Sequence, residues 1–255
     1  VTGRVRPTEH LVDDADPALA YGRLPGAGPT VVYLHGLGAR WQVFAPLMLR
    51  LRDDVDQLAP DFRGHGGSGR APEHYGAGDF AADTARFVRA TASGQVVVYG
   101  HSLGGWVGLV LAASYPSLVH SLVVADSAIF PERLDPSLVV GYLADLPIAL
   151  RSMAKSLDQL DPEVMASFRD GRMLAGFDPH ELLARVRCPT LLLQGDPERG
   201  ALMGDDDVSD ALKLLRGAGH VRLDGLGHGL HVEDAERVAA QVRTFVCGAP
   251  GRREG

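Results

Sequence analysis

The chemistry of this sequence gathers around Ser102. It stands in Gly100-His101-Ser102-Leu103-Gly104-Gly105, directly after the apolar run 95–99 (QVVVY) and before the apolar stretch 103–114. A serine between two glycines on a strand–turn–helix junction is placed to attack a carbonyl carbon. The turn must be sharp, because a Cβ at Gly100 or Gly104 would collide with neighbouring backbone. The hydroxyl then lies at the N-terminus of the next helix, where unpaired N–H groups and the helix dipole favour a developing anion.

Such a serine needs a base. Gly227-His228-Gly229-Leu230-His231 comes late in the chain, after 220–223 (HVRL) and the turn DGLG. That is the expected place for the histidine, so His228 is the expected base, with His231 as second choice. His228-x-x-His231 has no third partner at ligand spacing, so neither metal nor cofactor is expected. His35-Gly36-Leu37-Gly38 follows the run 30–34 (TVVYL). A glycine-rich turn at that point lets a backbone N–H face the serine. The N–H groups of Leu37 and Leu103 are the expected oxyanion hole. His35 reads as a turn-organising residue.

These groups must be held by regular elements. The runs 30–34, 95–99, 121–125 and 190–194 lack polar alternation, as strands buried on both faces of a parallel sheet do. Two further strands are expected at 55–59 and 220–223. Helices are expected over 41–51, 78–91, 103–114, 208–215 and 235–245. Alternating βα units imply an α/β fold with helices on both sheet faces. Segments 8–12 and 18–23, joined by DDADP, read as an antiparallel edge. From 131 to 185 there is no strand-like run, and prolines at 131, 136, 147, 162 and 179 punctuate short helical pieces. This reads as a helical insertion.

Composition narrows the class. A chain of 255 residues that is 45% hydrophobic and 22% charged can bury a sizeable core. A net charge of −7 argues against a nucleic-acid partner. Cys188 and Cys247 sit in apolar contexts and cannot make a disulfide framework. No apolar run is long enough to span a membrane, and residues 1–10 contain no secretory apolar core. A cytoplasmic monomer or homodimer without membrane contact is expected.

The motifs together resemble the α/β-hydrolase family over nearly the whole chain. They are HGLG at 35–38, DFRGHGGSGRAP at 61–72, GHSLGG at 100–105, CPTLLLQGD at 188–196 and GLGHGLHVEDAERV at 225–238. The resemblance implies a mostly parallel, eight-stranded sheet flanked by helices, with a small helical cap after strand six. It divides the chain into a core at 1–130 and 186–248, a cap at 131–185 and a flexible tail at 249–255. Ser102 is then the nucleophile and His228 the base. Asp61, Arg63 and His65 hold a loop beside the site. The third group must be a carboxylate that orients the imidazole. Some members, lactone-cleaving ones among them, carry it after strand six, which selects Asp126. Others carry it after strand seven, which offers Asp196 and then Glu198 as alternatives.

The resemblance implies a serine esterase or lactonase acting on a hydrophobic small molecule through an acyl-enzyme. Alternatives on the same residues are an acyltransferase, thioesterase, C–C bond hydrolase, cofactor-free haloperoxidase or hydrolase-like receptor. Substrate contacts are expected from Gly36, Trp41, His101 and Trp106 around the nucleophile. In the insertion and just before it they are expected from Phe130, Leu134, Leu138, Tyr142, Leu146, Met153, Met165, Met173 and Phe177.

Overall fold

The structure is a computed structural model that describes residues 6–13, 16–134 and 157–248. Its strands are β1 (Thr8–Val12), β2 (Leu19–Leu24), β3 (Thr30–Leu34), β4 (Asp56–Pro60), β5 (Val96–His101), β6 (Val119–Ala125), β7 (Thr190–Gln194) and β8 (Gly219–Arg222). They form one sheet in the order β1-β2-β4-β3-β5-β6-β7-β8. β1 and β2 pair antiparallel, β2 joins β4 antiparallel, and all other neighbours are parallel. The mostly parallel, eight-stranded sheet expected from the sequence is therefore present.

The central strands are buried on both faces, which explains their unbroken apolar character. In β3, Val32 and Leu34 enter one core while Val31 and Tyr33 enter the other. β5 divides in the same way, with Val96 and Val98 opposed to Val97 and Tyr99. The first core is covered by α2 (Ala77–Thr91), α3 (Leu103–Ser114), α5 (Pro179–Arg185) and α6 (Asp205–Leu214). The second lies under α1 (Ala45–Arg50), the short α7 (Leu230–Glu233) and α8 (Ala235–Cys247). α3 is apolar all round because the sheet lies on one side and α2 and α5 on the other.

Several boundaries differ from the sequence expectation by one to three residues, and two of the differences bear on the site. β5 runs on to His101, because its pairing with β6 continues through His101↔Ala125. The helix expected at 41–51 opens as a 3-10 turn over Trp41–Phe44 before α1.

In the described part of 131–185, a 3-10 turn at Pro131–Arg133, α4 (Pro162–Arg169) and α5 contain no strand. Asp161 caps α4 by accepting from Glu163 N–H, and Asp178 caps α5 by accepting from His180 and Glu181 N–H. Pro162 and Pro179 take the first helical position, where no donor is lost. α5 packs against α3 and α6 in the helical layer. The tail at 249–255 lies outside the described residues. Among those residues, no helix is long and apolar enough to cross a membrane.

Candidate active site

Ser102 sits between the last residue of β5 and the first of α3, with φ 55° and ψ −119°. A non-glycine residue held there costs on the order of 1–3 kcal/mol, so the surroundings must impose it. The glycines show how the turn closes. A Cβ on Gly100 would stand 2.2 Å from the Gly104 carbonyl oxygen, and one on Gly104 would stand 2.0 Å from that of Leu34. Both glycines let backbone approach backbone where no side chain fits.

Asp126 follows β6 directly and is completely buried. Its Oδ2 lies 2.6 Å from His228 Nδ1. The same oxygen accepts from Leu202 N–H at 2.8 Å, and Oδ1 accepts from Gly195 and Met203 N–H at 3.2 Å each. Four donors on two oxygens offset the cost of burying a carboxylate. Because the carboxylate accepts, His228 carries its proton on Nδ1, which leaves Nε2 as the basic nitrogen.

His228 is buried beside the serine turn. Its ring lies 4.6 Å, centroid to centroid, from that of His101, the residue before Ser102. His101 Nε2 donates to the His228 carbonyl at 2.8 Å. His231 closes the group, with its ring 4.6 Å from that of His101. Burial pushes His101 down to about 3 and His231 well below the usual histidine range, so both are neutral. The loop carrying His228 is tied by Gly227 N–H to Glu233 Oε2 at 3.0 Å.

The other acidic residues lie elsewhere. Asp196 Oδ2 accepts from Gly225 N–H at 2.9 Å, and Oδ1 accepts from Glu198 N–H at 3.0 Å and faces Arg222. Glu198 is exposed. The contacts of Asp196 run to its own loop and to Arg222, whereas those of Asp126 run to His228.

Leu37 and Leu103 line a small cavity of about 10 Å³ at Ser102, roughly the room of one water. Neither backbone N–H donates to another described residue. A cavity of about 340 Å³ adjoins it and shares Ala128, Leu134 and Leu202. Arg133 and Asp205–Asp207 form its polar wall, and Arg133 is ion-paired to Asp207 and Asp210.

Of the expected substrate contacts, Trp106 and Leu134 do line the small cavity. Trp106 is fixed by its indole N–H, which donates to the Ala128 carbonyl at 2.7 Å. Phe177 packs behind it at 6.2 Å between ring centroids. Trp41 must be corrected. It belongs to the core on the opposite sheet face, fills the slot left by Gly22 and donates to Glu9 at 2.9 Å. His101 also differs, because its ring packs on His228 and His231 behind the serine. Gly36 lies against Ser102: a Cβ there would stand 3.2 Å from Ser102 Cβ. Phe130 and Met173 are buried in the core, Phe130 under the Arg133 guanidinium, and Met165 packs against the core. Leu138, Tyr142, Leu146 and Met153 lie outside the described residues.

Sequence reasoning missed Ala128, Phe168 and Leu202, which complete the small cavity. Phe168 was readable from the apolar pair Val164/Phe168 at helical spacing in α4. Leu202 and Met203 hold Asp126 through backbone N–H groups, which leave no trace in residue type.

The loop after β4 is built from polar contacts. Asp61 accepts from Trp41 N–H at 2.6 Å and Gly67 N–H at 2.9 Å. Burial pushes its carboxyl up to about 6. Arg63 makes a two-pronged pair with Asp83. His35 Nδ1 faces the Gly36 carbonyl at 2.8 Å, and Phe62 N–H donates to its Nε2 at 3.0 Å, so its proton is on Nδ1.

A family model described as the alpha/beta hydrolase family matches residues 31–241. A 2-(acetamidomethylene)succinate hydrolase of Mesorhizobium japonicum is 42% identical over 104 residues. That match covers 41% of this chain and only 37% of the relative's length. A pimeloyl-[acyl-carrier protein] methyl ester esterase of Xanthomonas campestris pv. campestris is 26% identical over 254 residues, covering 88% of this chain and 98% of that protein. Among solved structures, E-2-(acetamidomethylene)succinate hydrolase superposes with a TM-score of 0.78 at 24% identity, over 94% of this chain and 99% of that one.

Proposed function

The chain belongs to the alpha/beta hydrolase family, and from that premise we propose that it is a serine hydrolase that cleaves a carboxylic ester or lactone of a hydrophobic small molecule. The observation that carries this reading is the 2.6 Å pair between His228 Nδ1 and buried Asp126, beside a serine held at φ 55°.

In the proposed reaction, Ser102 Oγ attacks the substrate carbonyl carbon while His228 Nε2 takes the hydroxyl proton. Asp126 stabilises the imidazolium that forms and keeps the ring oriented. The negative oxygen receives the N–H groups of Leu37 and Leu103, each supplying about 3–4 kcal/mol at the transition state. The C–O bond to the alcohol breaks, and His228 returns its proton to the departing oxygen. A water then gives a proton to His228 and attacks the acyl carbon; the acyl–Oγ bond breaks, and His228 passes that proton to Ser102 Oγ as the acid leaves. Apolar walls from Trp106, Leu134 and Phe168 support a hydrophobic acyl or alcohol group.

The test is turnover on a panel of aryl esters and lactones by wild-type protein and Ser102→Ala. Sustained multiple turnover that vanishes in Ser102→Ala is expected. A single slow turnover would favour a receptor, and activity surviving Ser102→Ala would overturn the reading.

A further inference from the structure

Ser102 is gripped from both sides by the residues that flank Asp126. Its N–H donates to the Ala125 carbonyl at 3.1 Å. Its carbonyl accepts from Ser127 Oγ at 2.7 Å and from Gly105 N–H at 2.8 Å. Ser127 is fully buried. Gly105 leaves the room for its hydroxyl, because a Cβ there would stand 1.8 Å from Ser127 Oγ. This accounts for the last glycine of GHSLGG.

We propose that Ser127 is a positioning residue for the nucleophile and for the oxyanion donor beside it. The carbonyl it holds belongs to the 102–103 peptide, and the N–H of that same planar peptide is the Leu103 donor. A hydrogen bond on the oxygen therefore fixes where the N–H points, and it polarises the donor as well. The backbone of Ser102 occupies a conformation that persists only when its surroundings over-determine it. Ala125 at the end of β6 and Ser127 just beyond it supply that constraint. One tripeptide thus carries the carboxylate that orients His228 and the two contacts that orient Ser102.

The proposal rests on Ser102 being the nucleophile, and its test separates the two ideas. Wild type and Ser127→Ala are compared by steady-state kinetics on an aryl ester and by the rate of fluorophosphonate labelling at Ser102, scaled to folded protein. Losing one contact that acts mainly at the transition state lowers kcat roughly tenfold and leaves KM within about twofold. Labelling slows by a similar factor, because the phosphonyl adduct needs the same donor. The pH midpoint of kcat/KM stays in place, since the Asp126–His228 pair is untouched. Labelling of Ser127→Ala at the wild-type rate, a loss confined to KM, or a moved pH midpoint would each overturn the positioning role. A wild-type protein left unlabelled at Ser102 would instead overturn the nucleophile reading beneath it.

Discussion

β6 and β7 lie side by side, and each delivers an aspartate to the carboxyl edge of the sheet: Asp126 from the first, Asp196 just beyond the second. Their surroundings differ completely. Asp126 is fully buried, meets His228 at 2.6 Å and accepts three backbone N–H groups. Asp196 is partly exposed, caps a 3-10 turn and faces Arg222. The Gly225 N–H, helped by Glu198 N–H and Arg222 against a small burial cost, holds its carboxyl below the usual range. One carboxylate is enclosed and aimed at an imidazole, whereas the other ties a surface loop together. A strand end supplies the position, and burial with a specific partner supplies the role.

Removing the charge at each site separates the two most sharply. Asp126→Asn lowers kcat by roughly 10³–10⁴, because the imidazole loses both its orienting partner and the charge that stabilises its protonated form. Initial rates on an aryl ester measure it, and a loss under tenfold would erase the distinction.

A second difference appears on acidification. Around the Asp126 pair stand neutral, buried His101 and His231, with His35 and His65 nearby in the fold. Burial lowers all four, His65 to about 4 and His101 to about 3. As pH falls below about 6.5, the unfolded chain binds protons that the folded histidines refuse. The stability they contribute is therefore present above about 6.5 and is lost as pH falls. For His65 alone the loss is about 2 kcal/mol between pH 6.5 and 5. Asp61 works in the opposite sense, because its carboxyl sits at about 6 and takes a proton in the folded state first. Asp207 is raised by burial as well, and His220 is lowered; five histidines against two carboxyls predict a falling Tm from pH 7 to 5, and His65→Gln flattens the slope. A Tm that is level or rising over that range would contradict this balance.

The smallest effects belong to the β7 side. Asp196→Asn and Glu198→Gln leave kcat within about threefold, and Asp196→Asn lowers Tm slightly through its lost pairing with Arg222. Kinetics and a thermal melt of each variant check this.

Much of this architecture was legible in the sequence. β3, β7 and α3 match their apolar runs to the residue, since each run is bounded by turn-forming residues, and β1 matches the edge strand expected at 8–12. β5 runs two residues further, because Gly100 and His101 read as turn residues while their pairing to β6 is a long-range fact. The serine and histidine turns carry glycines at fixed offsets, which local reading detects. The choice between Asp126 and Asp196 rested on the resemblance, because both follow apolar strands and only distant contacts distinguish them. Trp41 was placed at the site by its nearness in sequence to the 35–38 turn. A slot opened by Gly22 on another strand turns it away. Ser127 shows no local pattern, since its partner is a backbone carbonyl 25 residues away.

The central claim is that Ser102 is the nucleophile and that the Asp126–His228 pair activates it. It is tested most directly by reacting wild type, Asp126→Asn and Asp196→Asn with a fluorophosphonate and mapping the adduct by peptide mass spectrometry. The account predicts one adduct, on Ser102, forming at similar rates in wild type and Asp196→Asn and far more slowly in Asp126→Asn. An adduct on another residue, no adduct at all, or slowing confined to Asp196→Asn would contradict it.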